Sequence, residues 1–123
     1  MTLADTSIWV NFFRGVSRAG ALRDLLETDE ILLHPWVLGE LVLGSLGPRQ
    51  DSVIADLQRL PAAPGVPDDE VLRFVVGRQL SGRGIGWVDA HLLASALVSR
   101  CRLWTFDRAL AAAAKDLGLA TGP

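Results

Sequence analysis

Four acidic residues stand where a charge is out of place. Asp5 lies in LADTSIWV, Glu40 in PWVLGELVLG, Asp89 in IGWVDAHLLASAL and Asp107 in LWTFDRALAAAA. Each is a nearly isolated carboxylate in an apolar run built to pack against a core. Burying an unpaired carboxylate costs several kcal/mol even after relaxation, so such positions need compensation. The other ten of the fourteen acids need no such account. Asp24, Glu27, Asp29 and Glu30 sit on a polar helix end, and Asp51, Asp56 and Asp116 lie among polar neighbours. Asp68, Asp69 and Glu70 fill a first helical turn, where they complement the helix dipole. An arginine could neutralise one of the four unusual acids, but the set needs a larger source of positive charge. Carboxylates without a histidine or cysteine cluster suit a hard cation with oxygen ligands, Mg²⁺ or Mn²⁺. Such an ion can activate a water, orient a phosphodiester and stabilise the leaving oxygen.

The elements that must position these acids follow from the alternation of short apolar runs with helical stretches. The pattern predicts a strand at 2–4, a helix from about Ser7 with its hydroxyl as N-cap, and a helix over 19–27. A strand at 31–33 precedes a helix opened by Pro35, which suits a first helical position, and running to about Leu46. Further helices are predicted over 49–60, from Asp68 or Asp69 to about Leu80, and over 87–100. The proline-rich stretch 61–67 has room for a short extended segment, and a glycine-rich loop covers 81–86. A strand at 103–106 and a helix over 107–117 complete the chain. Strands alternating with helices indicate an α/β fold, a parallel sheet covered on both faces. Asp5 and Asp107 then follow strand ends, and Glu40 and Asp89 lie in early helical turns. In a parallel sheet these positions share one edge, the edge where ligands bind.

Composition sets outer limits. The 123 residues argue for a single domain, 1–123, large enough to fold without a disulfide or structural metal. Half of the residues are apolar, which points to a buried interface with a second copy or another protein. Cys101 is the only cysteine, so no internal disulfide forms, which suits a reducing cytoplasm. The apolar start, Met1 to Phe13, carries Asp5 and no basic lead-in, so it does not read as a signal peptide, and no run is long enough to span a bilayer. The expectation is a cytoplasmic protein with no membrane partner. The net charge of −2 gives no long-range pull toward nucleic acid. Arginine supplies every basic residue but Lys115, and its planar fork matches phosphate, although a genome rich in G and C produces the same bias.

Four segments, in order, carry a resemblance: ADTSIWVNFF, the isolated Glu40, GRGIGWVDAHLLASAL and LWTFDRAL. They resemble the signature segments of PIN-domain nucleases, and most closely the VapC-type toxins of bacterial toxin–antitoxin pairs, over almost the whole chain. The resemblance implies a PIN-like three-layer domain with a central twisted parallel sheet flanked by helices. It implies that Asp5, Glu40, Asp89 and Asp107 bind Mg²⁺ (with Mn²⁺ as the alternative ion) in an endoribonuclease that cuts structured RNA such as tRNA. It also implies a homodimer, and a cognate VapB-like antitoxin whose C-terminal segment blocks the active-site groove. The further acid that the family sometimes carries beside its third position is absent, since Trp87 and Val88 precede Asp89. Whether one or two ions bind is left open.

Residues of lesser rank surround the acids. Thr6, Ser7 and Thr105 can hydrogen-bond the ligands or a metal-bound water, although Ser7 also reads as a helix cap and Thr105 as a β-branched strand residue. Arg14, Arg83 and Arg108 lie near the active edge and can hold RNA phosphates, Arg83 best of the three because it belongs to the glycine-rich loop. His34 and His91 read as structural. Trp9, Trp36 and Trp104 read as core or interface residues, whereas Trp87, beside a loop, is placed to stack on a base.

Two rival readings fail on residues present. A haloacid-dehalogenase-type phosphatase needs a second aspartate two residues after the first, and Ser7 stands there. A response-regulator receiver needs a lysine beside a late strand, and Lys115 lies within the last helix. A non-catalytic PIN-like RNA- or protein-binding dimer remains open, as does a DNA-cleaving nuclease with the same site.

Overall fold

The computed structural model describes all residues, Met1–Pro123. Three short strands, β1 (Thr2–Ala4), β2 (Ile31–Leu32) and β3 (Arg102–Trp104), form one sheet in the order β2-β1-β3, with every pairing parallel. Seven helices surround it: α1 (Thr6–Phe13), α2 (Ala21–Glu27), α3 (Pro35–Leu43), α4 (Gln50–Leu57), α5 (Asp68–Gly77), α6 (Trp87–Ser99) and α7 (Arg108–Asp116). A 3₁₀ turn, Ser17–Ala19, links α1 to α2. Apart from Arg102, all of the strand residues are buried, as a sheet covered on both faces requires. The predicted α/β class and parallel sheet hold.

The sheet is wider than its three strands. Leu33 pairs in parallel with Ala62, so the proline-rich stretch does supply the short extended segment expected of it. On the other side, Leu103 pairs with Thr121, a contact no sequence pattern announced. The largest fully buried side chains are Trp9 and Ile8 of α1, Leu3, Ile31 and Leu103 of the strands, Leu22, Val37, Leu110, and Leu92 and Leu93 of α6. In α6 an unbroken run from Ala90 to Ala96 is buried. A helix hydrophobic all round belongs in the interior, and its alanines let α5 approach closely through Val71.

Two boundaries differ from the predicted ones in ways that matter for the site. The first helix begins at Thr6, and its N-cap is Asp5, which accepts from the Ile8 N–H; Ser7 is not the cap. The last strand stops at Trp104 rather than Phe106. Thr105 and Phe106 leave the ladder because side chains claim them: Thr105 Oγ1 donates to Asp5, and the Phe106 N–H donates to Ser7 Oγ. The first difference is local, and the second arises from contacts between residues about a hundred positions apart in the chain.

Replacing Leu103, fully buried in the sheet, by alanine removes apolar contact and leaves a cavity. A loss of about 2–5 kcal/mol is expected from urea unfolding of Leu103→Ala.

Candidate active site

The carboxyl end of the sheet gathers the four acids. Asp5 follows β1 directly and is 5% exposed. Its Oδ1 accepts from Ser7 Oγ and the Ile8 N–H, and its Oδ2 from Thr105 Oγ1. Glu40 projects from α3, where its Oε1 accepts from Thr6 Oγ1 at 2.6 Å. Asp89 lies in the first turn of α6, its Oδ2 accepting from the Gly86 N–H at 3.0 Å. Asp107 caps α7, its Oδ1 accepting from the Leu110 N–H at 2.9 Å. Each carboxylate is therefore held by at least one hydrogen-bond donor.

Burial is unequal. Asp5 is buried and Asp89 half-buried, but Glu40 and Asp107 are exposed. The expectation that all four sit among core-packing side chains is corrected for these two. Glu40 lies on the open side of α3, and Asp107 turns outward to cap its helix. An N-cap aspartate needs only the backbone donors of its first turn.

Charge links the four. Burial pushes the Asp5 carboxyl above its ordinary value, against the pull of the Ser7, Thr105 and Ile8 donors, and the Asp89 charge pushes it further. Burial also raises Asp89, opposed by the Gly86 N–H and reinforced by the charges of Asp107 and Glu40. None of the four forms an ion pair; the chain's ion pairs are Arg59–Asp56, Arg73–Asp69, Arg83–Asp116 and the contact of His91 with Asp68. The site is thus a field of mutually repelling carboxylates with no cation of its own. No three His, Cys, Asp or Glu side chains stand together at ligand spacing. Hard oxygen donors in this arrangement still fit Mg²⁺, which keeps several of its own waters and takes only one or two carboxylates directly.

A family model described as "PIN domain" matches residues 2–116. The chain belongs to the PIN-domain family. It is 48% identical over 121 residues to Ribonuclease VapC32 of Mycobacterium tuberculosis, covering 98% of this chain and 95% of that one. Among solved structures it is similar to FitAcB of Neisseria gonorrhoeae, with a TM-score of 0.72 and 22% identity over 100% of this chain and 97% of that one. It is also similar to PAE2754 of Pyrobaculum aerophilum, with a TM-score of 0.61 and 22% identity over 98% of this chain and 82% of that one. These two likenesses establish the PIN fold; the first relative extends the likeness to sequence across nearly the whole domain.

The other site residues of this PIN domain divide. Thr6, Ser7 and Thr105 all hold acids, as given above, and Thr105 Oγ1 also accepts from the Asp107 N–H at 2.9 Å. Arg14 is exposed at the end of α1, and Arg108 is exposed next to Asp107; neither has a carboxylate partner. Arg83 is tied to Asp116 at 2.7 Å, which leaves it less ready for a phosphate than its glycine-rich loop implied. A cleft of about 730 Å³ opens beside Glu40, lined by Val10 and Phe13 of α1, Arg14 just after it, Leu41 of α3, Arg49, and Val53 of α4. Sequence reasoning passed over Arg18, whose guanidinium lies 4.2 Å above the ring of Phe106, the residue before Asp107 in the chain. Trp36, read from sequence as a core or interface residue, is 37% exposed. The spacing of four between Trp36 and Glu40, which puts them on one face of α3, was the available signal. His34 and His91 are buried, and burial, with the nearby His91, lowers His34 to about 4.

The raised carboxyl of Asp89 has a consequence for folding. A group whose folded pKa lies above its unfolded value costs stability as pH rises through that interval, and the full cost persists above it. In Asp89→Asn the amide oxygen can still accept from the Gly86 N–H, and the repulsion is gone. Melting of metal-free protein should therefore show Asp89→Asn more stable than the parent at pH 7.5. The gain should vanish as the pH falls below the ordinary carboxyl value of 3.8. A variant less stable than the parent at neutral pH would contradict the repulsion argument.

Proposed function

We propose that this chain is a Mg²⁺-dependent endoribonuclease, the toxin of a type II toxin–antitoxin pair, which acts in the cytoplasm on structured RNA such as tRNA. The observation that carries the reading is the gathering of four oriented carboxylates without a cation at the carboxyl edge of the sheet. The likeness to a protein named Ribonuclease VapC32 supports RNA as the substrate over DNA. No helix is long and apolar enough to cross a membrane, which fits an enzyme working in the cytoplasm.

Asp5 and Asp89, with Glu40 and Asp107 beside them, would hold the ion. When bound, a hard divalent cation supplies a water acidic enough to attack a phosphodiester at neutral pH and offsets the charge that builds on the phosphate. The chain's own contribution is orientation. Ser7 and Thr105 fix both oxygens of Asp5, Thr6 fixes Glu40, and backbone N–H groups fix Asp89 and Asp107. Such partners keep ligand atoms in place and tune their basicity. Arg14 and Arg108, free of carboxylate partners, would hold flanking phosphates.

The cleft beside Glu40 suits the C-terminal segment of a VapB-like antitoxin. It offers apolar walls for side chains and Arg14 and Arg49 for acidic groups, and its occupation would cover Glu40. Leu72 and Val76, one turn apart on α5, and Val98 on α6 are exposed apolar residues that support pairing of two copies.

The test is cleavage of total tRNA and of a matched DNA by purified protein. With Mg²⁺ the RNA should be cut; EDTA should abolish cutting, and Asp5→Asn should reduce it by about a hundredfold or more. Thr105→Val, which leaves Asp5 in place but removes one of its donors, should lower activity roughly 10- to 100-fold. Cutting of DNA alone would move the substrate assignment. No cutting of either, together with no Mg²⁺ binding by calorimetry, would overturn the nuclease reading.

A further inference from the structure

The four tryptophans do not share one fate. Trp9 and Trp104 are buried, whereas Trp36 and Trp87 are 37% and 39% exposed. The exposed pair meets on a single buried residue. The Trp36 ring lies 4.1 Å from the ring of His91, and the Trp87 ring meets His91 edge-on at 4.7 Å. His91 is 3% exposed, with its Nε2 3.2 Å from Asp68 Oδ1, and the buried His34 ring stands 6.4 Å from it and 6.3 Å from Trp36. Both indoles are thus seated on an internal aromatic cluster while part of each reaches solvent.

Their place in the fold gives this surface a use. Trp36 lies one helical turn before Glu40 on the same face of α3, and Trp87, the first residue of α6, lies one turn before His91 on the same face, which Asp89 does not share. We propose that Trp36 and Trp87, seated on His91, form a stacking platform for an unpaired nucleobase of the RNA, one helical turn from Glu40. This rests on the ribonuclease reading above. Every base presents a π face, so stacking on an indole is tolerant of sequence, and rings already held in place lose little freedom when a base arrives. A nucleobase is uncharged, so it meets no charge repulsion from Glu40. A second copy is the poorer occupant. A two-fold contact through these rings would bring Glu40 toward Glu40 of the copy, like charge against like.

The experiment compares binding of a short, unstructured oligoadenylate with binding of an abasic ribose-phosphate chain of equal length and charge. The protein carries Asp5→Asn to prevent cutting, and fluorescence anisotropy reads the affinity. The oligoadenylate should bind roughly 5- to 150-fold more tightly than the abasic chain. Trp36→Leu and Trp87→Leu should each shrink that ratio and leave affinity for the abasic chain unchanged, and Trp36→Phe should largely restore it. If one leucine variant fails to fold, as judged by circular dichroism, the other together with Trp36→Phe still decides the matter. Equal affinity for the two chains, or an unchanged ratio in folded leucine variants, overturns the platform. So does a fall from dimer to monomer in sedimentation of the leucine variants, which would make the rings a contact between copies. RNA cleavage by the parent protein is scored separately, so that a failed platform with intact cleavage leaves the ribonuclease reading standing.

Discussion

Asp5 is a carboxylate at the carboxyl end of the central strand, almost wholly removed from water and without a cation beside it. The protein meets that constraint with hydroxyl and amide donors drawn from two distant segments. Ser7 and Ile8 come from the helix that Asp5 itself caps, and Thr105 comes from the end of β3. The same donors that make the burial tolerable end the last strand early and turn the chain toward Asp107. The geometry of the site and the local course of the backbone are two results of one set of hydrogen bonds. Those bonds do not remove the cost, since burial and the neighbouring Asp89 still raise the Asp5 carboxyl. A folded domain that keeps such a charge gives up stability to do so.

The remaining acids extend the field outward by steps. Asp89 is half-buried and feels both Asp107 and Glu40, which face solvent. The gradient runs from a desolvated carboxylate at the sheet edge to hydrated ones at the rim. That order suits an ion that gives up only part of its water shell and a polyanionic substrate that approaches from outside. Around the rim, the cleft beside Glu40 and the Trp36–His91–Trp87 cluster offer surfaces of different character. One is a trough with apolar walls and arginines, and the other holds two part-exposed indoles.

The sequence by itself determined the class of fold, most of the helices and the identity of the unusual acids. It did so because a charge inside an apolar run is conspicuous in one dimension and because helical periodicity is a local property. The resemblance across four ordered segments carried the PIN assignment, which the family match over residues 2–116 then secured. Only the tertiary structure decided how each acid is held and how deeply it is buried, for these depend on residues far apart in the chain. Thr105 reads as an ordinary strand residue until β3 is laid beside β1, and its hydroxyl then becomes a donor to Asp5. Ser7 reads as a helix cap until Asp5 takes that position. Arg83 reads as a free cation until Asp116, at the end of α7, pairs with it. The Leu103 pairing with Thr121 and the shared seat of two tryptophans on His91 lie beyond sequence for the same reason. A hydrogen bond or a ring contact is set by distances in space, and chain order limits those distances only among near neighbours.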